Sequence, residues 1–427
     1  MHKALHGVRV LDFTQVEAGP MACSFLGDLG AEVIRVESTR YWQYITRGMV
    51  ARPSKQYVQR TIQKGGYPDG DPGPDPWNRY GKFHSFNRGK LSFTVDLTRP
   101  EGREVFLRLA RVSDVVVDGN APDVMKKLKI DYSVISQVNP GIIFVGLYGF
   151  GSTGPYGGQR VLGPLLGAFI GNDTVRGYPD SDPTTLSGTV APDPASGAMA
   201  ALGVLGALYL RHFTGRGQYV EVGIGENFLS HLGQFYMDGI LNGREGHSLG
   251  NRHTSAIQGC YPCRGDDKWI VIAIRNDSDW KSFALALGDP AWTRDERFGD
   301  VLGRYRHHDA LDEHIRAWTS QQDATQVMHL LQSRGVPAAP VMDQSDAYGD
   351  PHFRERGYFQ PLAHPRLGTY EFPGPPWRFS VSSNTIEHHS PDLGEDNEYV
   401  YKKLLGFSDE EYARYAELGH IGNEPPR

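Results

Sequence analysis

Val8-Arg9-Val10-Leu11-Asp12-Phe13 is a short buried-strand run, and Glu32-Val33-Ile34-Arg35-Val36 is a second one downstream. Between them Ala18-Gly19-Pro20 breaks the first run. Pro20 suits the first turn of a helix, Met21 to Leu29 carries that helix, and Gly30 caps its end. Two short strands joined through a helix predict a parallel βαβ unit, and with it an α/β fold. The rhythm resumes after Phe86. Strands are expected over 91–97, 114–118, 142–145 and 218–224, and helices over 100–112, 122–128, 162–170 and 194–212.

Working outward, 427 residues exceed one typical hydrophobic core, so two domains are expected. The character changes near 225. Gly259-Cys260-Tyr261-Pro262-Cys263 and the strand-like run 268–274 flank an Asp/Gly turn, a hairpin pattern, and helices are expected at 280–287 and 311–333. This places a smaller α+β domain at 226–335, after a large domain at 1–225. From Gly335 on, Pro- and His-rich loops lead to a last helix over 409–418. Residues 40–85 stand apart. Tyr41, Trp42, Tyr44, Tyr57, Tyr67, Trp77 and Tyr80 surround a run dense in Gly, Pro and Asp, which predicts a long ordered loop or lid, or else an exposed insertion without a role.

Composition excludes several functions. With 44 Lys+Arg against 50 Asp+Glu, net −6, no basic stripe is available to neutralise nucleic-acid phosphates. At 39% hydrophobic and 22% charged the chain reads as globular, and no apolar run of about 18 residues stands out, so no membrane span is expected. Three cysteines and a polar start imply a reducing, cytoplasmic setting.

The motifs narrow the chemistry. Gly149-Phe150-Gly151-Ser152-Thr153-Gly154 has dinucleotide spacing, but Pro155-Tyr156-Gly157-Gly158 follows where a helix must open, so a mobile glycine loop is the better reading. Cys260 and Cys263 have only His247 and His253 nearby, six apart, and no second Cys pair; a metal site is not expected. Asp193, followed by Pro194 and a small-residue helix, reads as an N-cap with proline at the first helical position. The same position suits a nucleophilic carboxylate, because a helix N-terminus favours the ionised form and its N–H groups stabilise nearby oxyanions.

Several stretches together resemble the class III CoA-transferase family, the CaiB/BaiF type. They are 7–14 with Ala18-Gly19-Pro20, 29–37, Asn87-Arg88-Gly89-Lys90 with Val95-Asp96-Leu97, 149–155, 214–218, Gly250-Asn251-Arg252-His253, 335–341 and Asp350-Pro351-His352-Phe353. The resemblance covers nearly the whole chain outside 40–80. It implies a ring-shaped chain with a Rossmann-like large domain, a small domain, and 336–427 returning to the large one, two such rings interlocking as a dimer. It implies Asp193, between Gly188 and Gly197, as the catalytic residue, forming an aspartyl anhydride and then a CoA thioester. CoA contacts carry over to Val16, Glu17, Ala18, Val95, Asp96, Thr98, Asn120, Lys127 and Arg160, with Lys127 and Arg160 on the nucleotide phosphates.

The CoA thioester is then a substrate, no cofactor is tightly bound, and no metal is needed. The partners implied are an acyl-CoA donor such as succinyl-CoA, a carboxylic acid, and a second copy or a related chain. Three departures refine this. Glu17 replaces the glutamine of formyl-CoA transferase, which argues against a formate/oxalate pair. Gly163 replaces an acidic residue, and Leu162 replaces the histidine base of the racemase relatives, leaving Asp193 without a partner for α-proton exchange. The 40–80 segment hints at a bulkier, aromatic acid. Two alternatives remain: a non-catalytic subunit of a heteromeric transferase, and an acyl-CoA isomerase with Asp193 as acid/base.

Overall fold

Six parallel strands form the central sheet: β1 (Arg9–Phe13), β2 (Glu32–Glu37), β3 (Lys90–Thr94), β4 (Val115–Asp118), β5 (Ile143–Tyr148) and β6 (Tyr219–Gly223). Their spatial order is β3-β2-β1-β4-β5-β6, so the winding reverses between β1 and β4. A computed structural model describes residues 3–61, 66–186 and 191–426. It divides into a larger unit, Met1–Ile170, Gly188–Met237 and Glu355–Arg427, and a smaller one, Gly171–Ser187 and Asp238–Arg354.

Helices cover both faces of the large sheet, which is why its central strands read as unbroken apolar runs. Val10, Val33, Val115 and Val145 point to one face, under Ala22, Leu26, Ala200 and Val204. Their chain neighbours Leu11, Ile34, Val116 and Phe144 point to the other, against Val105, Phe106, Leu109 and Tyr401.

The helix Pro192–Thr214 is two-sided. Its inner stripe is small, Ser196, Gly197, Ala200 and Ala207, and crosses the helix Ala18–Asp28 closely. A β-carbon on Gly197 would lie 2.8 Å from the Ala18 carbonyl oxygen, so only glycine permits this approach. The expectation about apolar runs needs correcting here. This 23-residue helix, with mean hydropathy 1.2, meets the length and composition of a membrane span. Its inner stripe packs in the core of the sheet layer, which accounts for part of the apolar composition; Leu202, Tyr209 and Phe213 on the other side are exposed.

Among its described residues the 40–87 segment is largely irregular, with two short helices in a stretch expected to be loop, Lys55–Arg60 and Gly81–Asn87. The segment is tied to the end of the chain: Trp77 Nε1 donates to the Asn423 carbonyl at 3.2 Å, and Arg366 pairs with Asp75. In the smaller unit β7 (Ile257–Pro262), β8 (Trp269–Ile274) and β9 (Ala338–Val341) form an antiparallel sheet, so this unit extends past residue 335. The helix expected over 311–333 is two helices, His308–Thr319 and Ala324–Gln332. Asp323 caps the second through a 3.0 Å bond from Gln326 N–H and so breaks the run.

Candidate active site

β1 ends at Phe13, and the chain turns through Thr14–Glu17 into the helix Ala18–Asp28. A buried charge network holds that turn. Lys90 Nζ donates to Asp12 at 2.7 Å, to Asn87 at 2.8 Å and to the Pro20 carbonyl at 2.9 Å, and Arg35 donates to the Thr14 carbonyl at 3.1 Å. Burial pushes Asp12 upward, but the Lys90 ammonium and the Arg35 guanidinium outweigh it and hold the carboxyl below its ordinary range. Within the turn Val16 adopts φ 67°, a left-handed conformation costly for a β-branched residue, with its N–H bonded to Thr46 Oγ1 at 2.9 Å.

The turn walls a cavity of about 260 Å3 at the carboxyl ends of β1, β4 and β5. This is the crevice where the winding reverses, the place where open α/β sheets bind ligands. Val16 and Ala18 line it from the first turn, Asn120 follows β4, Tyr148 and Gly149 close β5, and Arg160, Leu162 and Gly163 form the far wall. A β-carbon on Gly149 would sit 2.0 Å from Val161 Cγ1, so a side chain there would push the Val161 side chain aside. A larger cavity of about 460 Å3, among Lys3, Arg9, Asp28 and Glu387, opens at the amino ends of β1 and β2, away from this crevice.

Asp193 lines the cavity and is buried. It is not an N-cap: Pro192 begins the helix, Ala191 precedes it, and Asp193 stands in the first turn. Gly188, Thr189 and Val190 of the motif lie outside the described residues. Burial, then the nearby Glu17 carboxylate, push Asp193 up to about 6, while Lys82 acts in the opposite direction. Glu17 is buried too and forms an ion pair with Lys82, which comes from the helix Gly81–Asn87. Nothing in the spacing around Lys82 marks it in the sequence.

The expected CoA-contact residues divide into two sets. Val16, Ala18, Asn120 and Arg160 line the cavity, and Glu17 adjoins it through its influence on Asp193. Asn120 is fixed by donating to the Phe13 carbonyl at 2.9 Å and accepting from Gln15 at 2.8 Å. Lys127 is exposed, does not line the cavity, and pairs with Asp123, whose carboxyl is held down by that bond and, more weakly, by Arg160. Val95, Asp96 and Thr98 follow β3 and do not line the cavity. Val95 is in the core, and Asp96 accepts from Thr98 N–H at 3.0 Å and Thr98 Oγ1 at 2.6 Å.

The arrangement joins a buried carboxyl in a helical first turn to a cavity with Arg160 in its wall. It suits an anionic ligand whose reactive carbonyl reaches Asp193.

The sequence profile of CoA-transferase family III matches residues 5–397. Succinyl-CoA–D-citramalate CoA-transferase of Chloroflexus aurantiacus is 31% identical over 96% of both chains. The succinyl-CoA–L-malate CoA-transferase beta subunit of the same organism is 29% identical over 95% of both. A CaiB/BaiF family protein from Brucella suis superposes with a TM-score of 0.80 at 26% identity, over 95% of this chain and all of that one.

Proposed function

The chain belongs to CoA-transferase family III and is an enzyme of that class; from this premise we propose that it moves CoA from an acyl-CoA donor to an organic carboxylic acid through covalent intermediates on Asp193. The observation that carries the reading is the position of Asp193, buried, in a helical first turn, and open to the cavity at the carboxyl ends of the strands.

In this reading an Asp193 oxygen attacks the thioester carbonyl of the donor, the C–S bond breaks, and a mixed anhydride and CoA thiolate result. The thiolate attacks the aspartyl carbonyl, expelling the donor acid as its carboxylate and leaving an aspartyl-CoA thioester. The acceptor carboxylate then attacks that thioester and releases the thiolate. The thiolate finally takes the acyl group of the acceptor and restores the Asp193 carboxylate. Each step exchanges one acyl bond for another, and covalent catalysis divides the transfer into easier ones. The positive end of the helix dipole favours the negative charge that develops at each addition, Pro192 and Pro194 of the first turn having no N–H to offer.

CoA enters past Asn120, with Arg160 and Lys127 toward its phosphates. Two relatives named for succinyl-CoA support it as the donor to try. Tyr41, which lines the cavity from the aromatic 40–80 segment, supports an acceptor with a bulky or aromatic body. Assembly as interlocked, ring-shaped chains is supported by the outer stripe of the helix Pro192–Thr214, where Leu202, Tyr209 and Phe213 are 59%, 71% and 66% exposed. A second reading, a subunit paired with a related chain, draws on the relative named as a beta subunit.

The test is intact-protein mass spectrometry after mixing with succinyl-CoA. A hydroxylamine-labile adduct on the wild type, absent from Asp193→Ala, is the expected result. Binding of CoA without any adduct overturns the nucleophile and favours the subunit reading.

A further inference from the structure

Glu17 and Asp193 are two buried carboxyls, 5% and 7% exposed; Asp193 lines the cavity and Glu17 lies between its wall residues Val16 and Ala18. Glu17 immediately precedes the helix Ala18–Asp28, and Asp193 opens the helix that crosses it at Gly197. Carboxylates brought together in this way resist carrying two negative charges, and one of them takes up a proton. A protonated Asp193 is not a nucleophile. The transfer therefore needs something that offsets Glu17 without sealing the cavity.

Lys82 meets that need. Its ammonium pairs with Glu17, and its side chain is 35% exposed, so it approaches from the solvent side. A partly exposed pair of this kind adds little to folding stability, which leaves its effect on the neighbouring carboxyl as its main consequence. The other titratable groups facing the cavity are Tyr41, Tyr148 and Arg160, with Asp118 behind Tyr148 and Tyr80 beside the Lys82–Glu17 pair. Among the described residues only Glu17 and Lys82 are charged groups that act on Asp193, in opposite directions.

Resting on the nucleophile reading above, we infer that Lys82 is a positioning residue of the transfer: by pairing with Glu17 it offsets part of the repulsion that, together with burial, favours a proton on Asp193. The segment 40–87 thereby acts on the reaction through one ammonium group.

The experiment follows the rate of the hydroxylamine-labile adduct from succinyl-CoA alone, as a function of pH, in wild type, Lys82→Met, Glu17→Gln and the double variant, with Asp193→Ala as control. In Lys82→Met the acid limb moves up by about one pH unit, which slows adduct formation roughly tenfold on that limb and leaves it unchanged well above it. Adding Glu17→Gln brings the limb back to the wild-type position or below. A uniform slowing of Lys82→Met at every pH, an unmoved limb, or a double variant that stays shifted each overturns the inference while the nucleophile reading stands. No adduct on the wild type, or an unchanged one on Asp193→Ala, overturns the nucleophile reading and this inference with it.

Discussion

The guanidinium of Arg47 lies 3.7 Å from the ring centroid of Phe83, while its Nε and Nη2 both donate to the Glu37 carboxylate at 2.7 Å. The same group donates to the carbonyls of Trp77 and Pro391, each at 3.1 Å. One buried cation thus joins the end of β2, the 40–87 segment and the C-terminal part of the larger unit. Because Phe83 is the neighbour of Lys82, Arg47 also fixes where the ammonium near Asp193 begins. Burial pushes Glu37 upward, and Arg47 and Arg35 together bring it below its ordinary range.

Arg47→Met removes the closer cation of a buried carboxylate and leaves it only Arg35 and Ser92, so it is expected to cost stability, up to about 3–5 kcal/mol. Arg47→Lys keeps the charge but loses the two-pronged geometry and the ring stacking, and rescues only part of that loss. Urea denaturation midpoints check both. A Met variant as stable as wild type would show that Arg47 carries no such burden.

Gly197→Val places side-chain atoms against the Ala18 carbonyl oxygen and the Ala22 backbone nitrogen, which cannot move independently of their helix. Overpacking of this kind costs about 1–3 kcal/mol. It also separates the helix ends that carry Glu17 and Asp193. The expected outcome is a lowered melting temperature together with slower adduct formation from succinyl-CoA.

Asp193 should reveal itself through pH. Its folded value of about 6 lies above its ordinary 3.8, so the native state holds the proton more readily than the unfolded chain does. The corresponding stability is fully present below the ordinary value and is lost as pH rises through about 6. Asp193→Asn does not undergo this loss. It should therefore be more stable than wild type at neutral pH by on the order of 1–3 kcal/mol, with a smaller advantage in acid. Adduct formation by the wild type should show its acid limb near pH 6. Calorimetry of both proteins across pH and the rate profile test the two halves separately.

How much of this was legible in the chain depended on the range of the forces involved. Val115-Val116-Val117 and Val33-Ile34 announce strands because both faces of the sheet are buried, and that pattern is local. Asp193 was legible from its proline-flanked place before a small-residue helix, although Pro192 and not Pro194 begins that helix. Lys82 was not. Its position depends on Arg47, whose partners reach from Glu37, ten residues away, to Pro391, 344 away, and no local spacing encodes such packing. The helix Gly81–Asn87 was missed for a related reason: at seven residues with a glycine start it is held by tertiary packing rather than by propensity. Val95, Asp96 and Thr98, expected from the family resemblance to contact CoA, lie after β3, with Val95 in the core and Asp96 holding a turn through Thr98.

A cluster of histidines makes the attachment of that helix sensitive to acid. His84 bonds to the Ser390 hydroxyl and the Asn78 carbonyl, and its ring lies 4.8 Å from that of His364. Burial, followed by His364 and Arg47, holds His84 well below its ordinary 6.5. A depressed histidine binds protons more readily in the unfolded chain, so the stability it allows is complete above 6.5 and falls as pH drops below that value. His84→Gln keeps a donor toward Asn78 and removes the titration. Its denaturation midpoint should therefore fall less than that of wild type between neutral and mildly acidic pH. An equal fall in both proteins would assign the acid sensitivity to other groups.

The outer stripe of the helix Pro192–Thr214 bears on assembly. Met199, Leu202, Tyr209 and Phe213 recur at helical spacing on the side away from the core, and the rings of Tyr209 and Phe213 touch edge to face, with centroids 5.0 Å apart. Exposed apolar stripes of this kind occur where proteins meet other chains, membranes or ligands, and the interlocked assembly proposed above would cover this one. If the protein assembles as interlocked rings, sedimentation velocity should give a dimer that persists at low concentration. Leu202→Asp with Phe213→Asp should then yield monomer or aggregate and abolish adduct formation, because Asp193 opens the same helix. A fully active monomer carrying both substitutions would remove this stripe from the interface and leave the interlocked arrangement without its structural support.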